Sequence, residues 1–197
     1  YFFFYRNNNM KAKQNCFVCG LLDEHLINEY QRRIFSYGID HLAYTLLSDN
    51  KDLIERYSKL EYPEYEGEIK RGNAAPIYTM LGILREDEVA VERGIKIMFD
   101  KTVKLFPTLR HDATVIEAIA EKNIEKLELN IQELLSKKVS GRRDTGVRDF
   151  LYTHATCYTK LAWIKGMEIE VDHDKVPMEM IPIQPLEKYE IPYDFLK

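Results

Sequence analysis

The sequence has little of what most enzymes and membrane proteins need. Its three cysteines cannot all pair and are too few for a disulfide scaffold, which favours a reducing cytoplasm. No apolar run approaches the ~18 residues that span a bilayer. A glycine-rich phosphate loop, a serine nucleophile elbow and a His-Glu-x-x-His zinc motif are also absent. We therefore expect no cofactor, no bound metal and no membrane association.

Positive charge is also in short supply. The chain has 28 Lys and Arg against 32 Asp and Glu, and its net charge is −4. This balance argues against general binding to nucleic acid or anionic membranes and suits a basic protein partner. The 197 residues are 45% hydrophobic and 30% charged, which is typical of one globular domain.

The stretch 148–166, RDFLYTHATCYTKLAWIKG, predicts the central helix of the fold. Helical spacing places one apolar stripe on it: Phe150, Leu151, Ala155, Tyr158, Leu161 and Ala162. The opposite side is not a charged solvent face either, so we expect other helices to enclose it. Gly166 is suited to end the helix, and Lys160 and Lys165 favour its negative C-terminal end.

Residues 1–60 are predicted to hold the N-terminal helices. A long helix is expected over 11–37, with Gly38 ending it, and a second over 39–47. The sequence Ser-Asp-Asn at 48–50 predicts a turn and a cap before a third helix. Residues 61–73, interrupted by Pro63 and Gly67, are expected to form a loop.

Residues 74–139 carry a weak internal repeat. Four apolar positions recur 36 residues apart: Ile83 and Ile119, Val91 and Leu127, Ile95 and Ile131, Val103 and Val139. Each copy reads as a short helix, a turn (Glu86-Asp87 or Lys122-Asn123) and a longer helix, with Pro107 between the copies. This spacing is typical of two stacked αα-hairpins.

The segment 167–197 changes character and holds four of the seven prolines. Residues 168–172 alternate like a short strand, Pro177 is suited to start a short helix, and the rest should lie extended across the helices. The predicted fold is a single all-α domain over 1–197. It is an array of antiparallel αα-hairpins around a buried central helix, with an extended Pro-rich tail and at most one short strand pair.

Three short patterns could suggest a metal, redox or other site, and each has a structural interpretation. Cys16 and Cys19 lie on an apolar helix without a second ligand pair, so we expect both to pack in the core. The triplet 172–174, Asp-His-Asp, reads as a solvated turn because adjacent extended residues point to opposite sides. Asp112, next to His111, is expected to cap a helix.

The sharpest catalytic candidate is the pair Arg148 and His154. An Arg, a polar residue and a His at this spacing resemble the motif of the helical HEPN ribonucleases, in which both side chains act on the scissile phosphate. The structural alternative is a salt-bridging Arg and a hydrogen-bonded His on the apolar stripe. The basic loop before the helix is expected to be solvated rather than to bind phosphate; its cations are Lys137, Lys138, Arg142, Arg143 and Arg148.

Two stretches favour protein binding. The first places Tyr and carboxylates together on the predicted loop: Glu61, Tyr62, Glu64, Tyr65, Glu66 and Glu68. Tyr rings bury large area at low entropic cost, and the acids would attract a basic partner; the alternative is that the rings fold back onto the helices. The second stretch is the acidic side of the hairpin helices, at Glu121, Glu125 and Glu128.

The second half of the chain resembles the immunity protein 49 family of bacterial polymorphic-toxin systems. The resemblance covers 74–197 and rests on segment order and texture: IAEKNIEKLELNIQELL, then THATCYTKLAWIKGMEIEVD, then VPMEMIPIQPLEKYEIPYDFL. It implies a helical, non-catalytic protein that binds a cognate toxin domain tightly, as a monomer or homodimer in the cytoplasm. An acidic inhibitor suits a basic nuclease toxin. A ribonuclease using Arg148 and His154 and a helical-repeat scaffold remain alternatives.

Overall fold

A computed structural model describes residues 9–30, 38–102, 109–136 and 150–197, and within these ranges the chain forms helices and no strand. The helices are α1 (Asn9–Tyr30), α2 (Gly38–Leu47), α3 (Lys51–Ser58), α4 (Tyr65–Arg71), α5 (Ala75–Arg85), α6 (Glu88–Thr102), α7 (Leu109–Ala120), α8 (Ile124–Leu135) and α9 (Thr153–Ile164). Single 3-10 turns follow at Met178–Met180 and Asp194–Leu196. The predicted all-α fold is confirmed, and none of the described helices is long and apolar enough to cross a bilayer.

Three hairpins, α2–α3, α5–α6 and α7–α8, share one turn design. Each turn has a non-glycine residue in the left-handed region: Asp49 (φ 57°), Glu86 (φ 61°) and Lys122 (φ 53°). Within the described ranges these are the only non-glycine residues with positive φ. The sequence predicted the second and third hairpins, and the structure adds the first at nearly the same spacing.

The residue after each left-handed position caps the next helix. Side-chain oxygens of Asn50, Asp87 and Asn123 accept hydrogen bonds, at 2.8–3.0 Å, from the backbone N–H three residues further on. In the later two turns the same residues donate their own N–H to the carbonyl five residues back, at 2.9 and 3.0 Å. The hairpins therefore repeat both the spacing of their apolar residues and the hydrogen bonds of their turns.

Helix α9 is enclosed, as predicted. It packs against α2, α7 and α8, and the side chains of Ala155, Tyr158 and Leu161 are fully buried. The helix is shorter than expected because it begins at Thr153, and Phe150 lies before it, exposed to solvent. Gly166 ends it with φ 82°, as predicted.

Two predictions for the first half of the chain were wrong. Gly38 is itself helical, within α2 (Gly38–Leu47), instead of ending a helix in the left-handed conformation. The described part of α1 reaches Tyr30, and residues 31–37 of the predicted first helix lie outside the described residues. Most of the stretch predicted as a loop is helix α4 (Tyr65–Arg71). Carboxylates in its first turn and cations in its last match the helix dipole, and Gly72 at φ 94° ends it, so Gly67 is tolerated inside.

The stretch predicted as a short strand is extended but has no strand partner within the described residues. Met167, Ile169 and Val171 are buried, while Glu168 and Glu170 are exposed. Alternating burial follows from an extended backbone lying on a helical core, and a sheet is not required for it. Pro177 immediately precedes the 3-10 turn Met178–Met180, where a short helix was expected.

The last part of the chain, residues 180–197, lies across α1 and the α2–α3 turn as predicted, and we call it the C-terminal strap. The Tyr189 ring sits 4.7 Å from that of Phe17, and its hydroxyl donates to the Ser48 carbonyl at 2.6 Å. Gln14 of α1 exchanges two hydrogen bonds with the backbone of Glu190. The strap is therefore tied to the N-terminal helices.

Candidate functional site

The predicted binding stretch at 61–68 is largely part of the core. Tyr62 and Tyr65 are buried, with ring centroids 4.9 Å apart, and burial raises the pKa of the Tyr65 hydroxyl well above its usual range. Glu68 is buried as well, and accepts hydrogen bonds from Arg71 and from Asn73 at 2.9 Å. These rings fold back onto the helices, which was the alternative interpretation.

The other carboxylates of this stretch do reach solvent. Glu61, Glu64 and Glu66 are exposed. Glu66 is already engaged, because Arg93 of α6 donates to it at 2.5 Å and Lys70 lies 3.2 Å away. Binding of a partner at this stretch stays a prediction, which now depends on Glu61 and Glu64.

The acidic side of the hairpins is exposed and contains an apolar group. On the outer side of α8, Glu125, Glu128, Gln132 and Glu133 are exposed, and Leu129 among them is 71% exposed. We call these five residues the acidic face of α8. The opposite side of the helix buries four other apolar residues against α7 and α9: Leu127, Ile131, Leu134 and Leu135. A single exposed leucine is common on protein surfaces, so the carboxylates around Leu129, rather than Leu129 alone, make this face the candidate for contact with a basic partner.

The equivalent side of α6 is already used for packing. The repeat offset of 36 places Arg93 at the position of Leu129. The Arg93 guanidinium lies over the Tyr78 ring at 5.5 Å and pairs with Glu66 of α4, which packs on α6. Arg93 is therefore engaged by α4 in one hairpin, whereas its counterpart Leu129 in the next hairpin is open to solvent.

Only one member of the candidate ribonuclease pair, His154, lies in the part of the chain that the structure describes. Arg148 and the rest of the basic loop lie outside the described residues. The His154 side chain is mostly buried, with Nδ1 3.7 Å from Oδ1 of Asp40 and its ring parallel to that of Tyr152 at 6.3 Å. Asp40 also accepts a hydrogen bond from Thr153, so His154 belongs to the contact between α2 and α9.

The two N-terminal cysteines differ in environment. Cys16 is buried, as predicted, and burial raises the pKa of its thiol to about 12, which keeps it protonated near neutral pH. Cys19 is exposed, so the prediction that it packs in the core was wrong, because it lies on the outer side of α1. Asp172 and Asp174 are exposed, as a solvated turn requires. The described residues contain no group of three or more side chains placed to hold a metal ion.

Three buried aspartates connect pairs of helices. The pairs are Asp23 of α1 with Tyr57 of α3, Asp40 of α2 with Thr153 of α9, and Asp112 of α7 with Tyr158 of α9. Asp112 was predicted to be a cap, but it lies inside α7 and its carboxylate accepts from the Tyr158 hydroxyl. A buried carboxylate needs such donors because desolvation otherwise disfavours its charge.

Sequence reasoning missed a buried ion cluster made by Lys13, Asp49 and Lys160. Both lysine ammonium groups pair with the Asp49 carboxylate, Lys160 at 2.6 Å, and all three side chains are buried. Lys160 also donates to backbone carbonyls of residues 180–182 at 2.8–3.3 Å. Lys13 donates to the Gln184 carbonyl at 2.8 Å, and the Gln184 N–H donates to Asp49 at 3.1 Å. The cluster fastens the C-terminal strap to α1, α9 and the first hairpin turn.

The cluster contradicts the role predicted for Lys160 at a helix end. Burial lowers the pKa of the Lys160 ammonium to about 8, although the nearby Asp49 carboxylate acts in the opposite direction. One signal was available: Lys160 is the only Lys, Arg, Asp or Glu in the helix THATCYTKLAWI, which was predicted to be enclosed. A charge on an enclosed helix must have a buried partner.

Comparisons with protein-family models, with curated proteins and with solved structures find no match to this chain.

Proposed function

We propose that this chain is an immunity protein, which neutralises a cognate toxin domain by stoichiometric binding. The resemblance in residues 74–197 suggests this function. The observation that carries it is the acidic face of α8, where Leu129 is exposed among carboxylates on a rigid hairpin stack. A partner with a basic surface and an apolar pocket would cover that face, and complementary charge would speed and orient the encounter.

The intramolecular packing of α6 supports this choice of surface. There, Arg93, the counterpart of Leu129, is held between the Tyr78 ring and the Glu66 carboxylate of α4. We propose that the toxin takes the corresponding place on α8. A basic nuclease is the class of toxin that suits such a face, since its nucleic-acid site would be covered by carboxylates.

The test is protection from a toxin. The chain would be co-expressed with the product of the adjacent gene, or with its C-terminal domain if that product is a large secreted protein, and growth, complex formation and stoichiometry would be measured. We expect rescue and a complex of fixed stoichiometry. Without rescue or a complex, the proposal fails.

The surface is tested by a charge reversal with an equivalent control. Glu128→Lys should weaken toxin binding about tenfold or more at low salt, because it places a cation on the contact surface. Glu92→Lys makes the same change at the equivalent exposed position of α6, 36 residues earlier, and should leave binding unchanged. Equal loss in both variants would point to net charge rather than to the acidic face of α8.

The same toxin-protection assay tests the stretch around α4, and an RNA-cleavage assay tests the ribonuclease alternative. Substituting Lys for Glu61 and Glu64 changes only exposed side chains and leaves Tyr62 and Tyr65 in the core. Reduced protection in that variant would favour the α4 stretch over α8. RNA cleavage by the purified chain that is lost in His154→Ala would replace the proposal with the ribonuclease alternative.

A further inference from the structure

The far end of the C-terminal strap forms a groove with α1 and α3, which we call the strap groove. It has a volume of about 580 Å³. Its apolar lining includes Phe17 and Leu21 of α1 and Ile191 and Leu196 of the strap. This volume lies in the range of sites that accept small ligands or a few side chains.

A row of aromatic rings follows this part of the surface. Tyr193 and Phe195 are stacked at 5.5 Å, Phe195 lies 5.4 Å from His25, and His25 lies 5.9 Å from Tyr30. Tyr193, Phe195 and Tyr30 are 47%, 59% and 71% exposed. Neighbouring aromatic rings with this much solvent exposure are typical of a ligand- or protein-binding surface.

The cations at the strap groove already have partners. Arg56 donates two hydrogen bonds to Glu24, at 2.8 and 2.9 Å. Lys197 pairs with Asp194 at 2.7 Å. Both cations are therefore already engaged by carboxylates, Lys197 in an exposed pair with Asp194.

Two carboxylates at the groove have no ion-pair partner among the described residues. They are Glu29, one helical turn after His25, and Asp52, at the start of α3, and both are exposed. Counted over the described residues, the open charge of the groove is therefore negative, which disfavours a nucleic-acid strand despite the stacked rings. A cationic ligand that also has a flat face satisfies both features.

The protein contains one example of such an arrangement. The Arg93 guanidinium lies over the Tyr78 ring and pairs with Glu66 on its other side. The strap groove places an aromatic ring, Phe195, and a carboxylate, Glu29, along one lining, and the arginine of that lining, Arg56, is bound to Glu24. An arginine supplied by another molecule would complete it.

We infer that the strap groove binds an arginine-bearing segment of the protein partner, with a guanidinium on the Phe195 ring facing Glu29 and Asp52. The origin of that segment in a toxin rests on the proposed function; the preference of the groove for arginine does not. The groove is a second contact, formed by elements other than the acidic face of α8.

The probe is a capped peptide, Gly-Arg-Leu-Arg-Gly, titrated into the full-length ¹⁵N-labelled chain at low salt. Amide shifts should concentrate in residues 24–30 and 191–197. Phe195→Ala should weaken binding about fivefold and Glu29→Gln about threefold, in keeping with an exposed cation–π contact and one ion pair. Ile183→Ala, at another exposed apolar position of the strap, should have no effect. A peptide with citrulline in place of arginine should not bind.

Shifts centred elsewhere, binding of the citrulline peptide, or equal affinities for the Phe195→Ala and Ile183→Ala variants would overturn the inference. The toxin assay separates it from the proposed function. If Phe195→Ala protects fully and the peptide avoids the groove, the groove inference alone fails. If the peptide binds the groove but the chain gives no protection, the proposed function fails and the preference for arginine stands.

Discussion

Replacing Asp49 with Asn tests whether the buried ion cluster holds the strap in place. The substitution keeps the size of the side chain, and Asn adopts the left-handed conformation readily, so φ 57° adds no strain. It removes the only carboxylate among the described residues that pairs with the two buried ammonium groups of Lys13 and Lys160. Removing one partner of a buried ion pair costs about 3–5 kcal/mol of unfolding free energy, and we expect a loss in that range.

Two features bound this magnitude. Burial already lowers the pKa of Lys160 to about 8, so loss of its proton limits the cost near neutral pH. The carbonyls of residues 180–182 still accept from Lys160, so the loss should not exceed the upper end of the range. A second substitution, Lys13→Met, should recover part of the loss in the Asp49→Asn background because it removes a cation left without its partner.

Glu86→Gln is the matched control. Glu86 occupies the equivalent left-handed position of the α5–α6 turn (φ 61°), but its side chain is 79% exposed and pairs with Lys165 at 2.8 Å. An exposed ion pair of this kind contributes less than about 1 kcal/mol. The two substitutions therefore change the same turn position and the same charge, and they differ in burial.

The assay is urea unfolding at pH 7, together with amide hydrogen exchange of residues 183–191. Asp49→Asn should lower the urea midpoint and speed exchange in the strap, while Glu86→Gln should change neither measurably. A loss below about 1 kcal/mol for Asp49→Asn, or equal losses for both variants, would refute the reasoning. Unchanged exchange in the strap would show that the cluster does not hold it.

Two further predictions concern close packing and pH. Gly94→Ala should lower the unfolding free energy by about 1–3 kcal/mol, because the new Cβ would lie 1.9 Å from the Thr79 hydroxyl oxygen. Gly67→Ala should raise the unfolding free energy by up to about 1 kcal/mol, because its Cβ meets no atom nearer than 3.9 Å. Urea unfolding of both variants measures this, and a Gly94→Ala protein as stable as the parent would contradict it. The pKa of Lys160 is about 8 in the folded chain and 10.5 in the free side chain, so between these pH values the unfolded chain binds more protons than the folded one. The unfolding free energy, taken relative to that of Lys160→Met, should therefore rise with pH by up to about 1.4 kcal/mol per pH unit. If the difference in unfolding free energy between the parent and Lys160→Met stays flat or falls between pH 8 and 10, the prediction is contradicted. Taking this difference removes the opposing effect of Cys16, whose raised pKa lowers stability at high pH.

The sequence by itself determined the helices and their turns, because both depend on residues close together along the chain. Apolar spacing of three and four residues sets the buried side of α5 to α9. Turn chemistry is equally local: a cap oxygen at Asp87 or Asn123 bonds an N–H three residues away. The offset of 36 between two hairpins could therefore be predicted without knowing how they pack.

The local sequence rules for loops gave the wrong prediction at residues 61–73. Pro63 and Gly67 predicted a loop, yet α4 forms because Tyr65 and Ile69 gain burial in the core. The same burial removed Tyr62 and Tyr65 from the surface on which the predicted binding stretch depended. Whether a tyrosine faces water or the core is decided by what packs against it, and the sequence does not state this.

Only the tertiary structure decided which charges are buried and what they hold. Lys13 meets Asp49 from 36 residues away and the Gln184 carbonyl from 171 residues away, and no short-range pattern reports such contacts. The strap groove likewise joins α1, α3 and the last residues of the chain. Charge pairing and surface shape depend on distances set by packing, whereas helix formation depends mainly on the neighbouring residues.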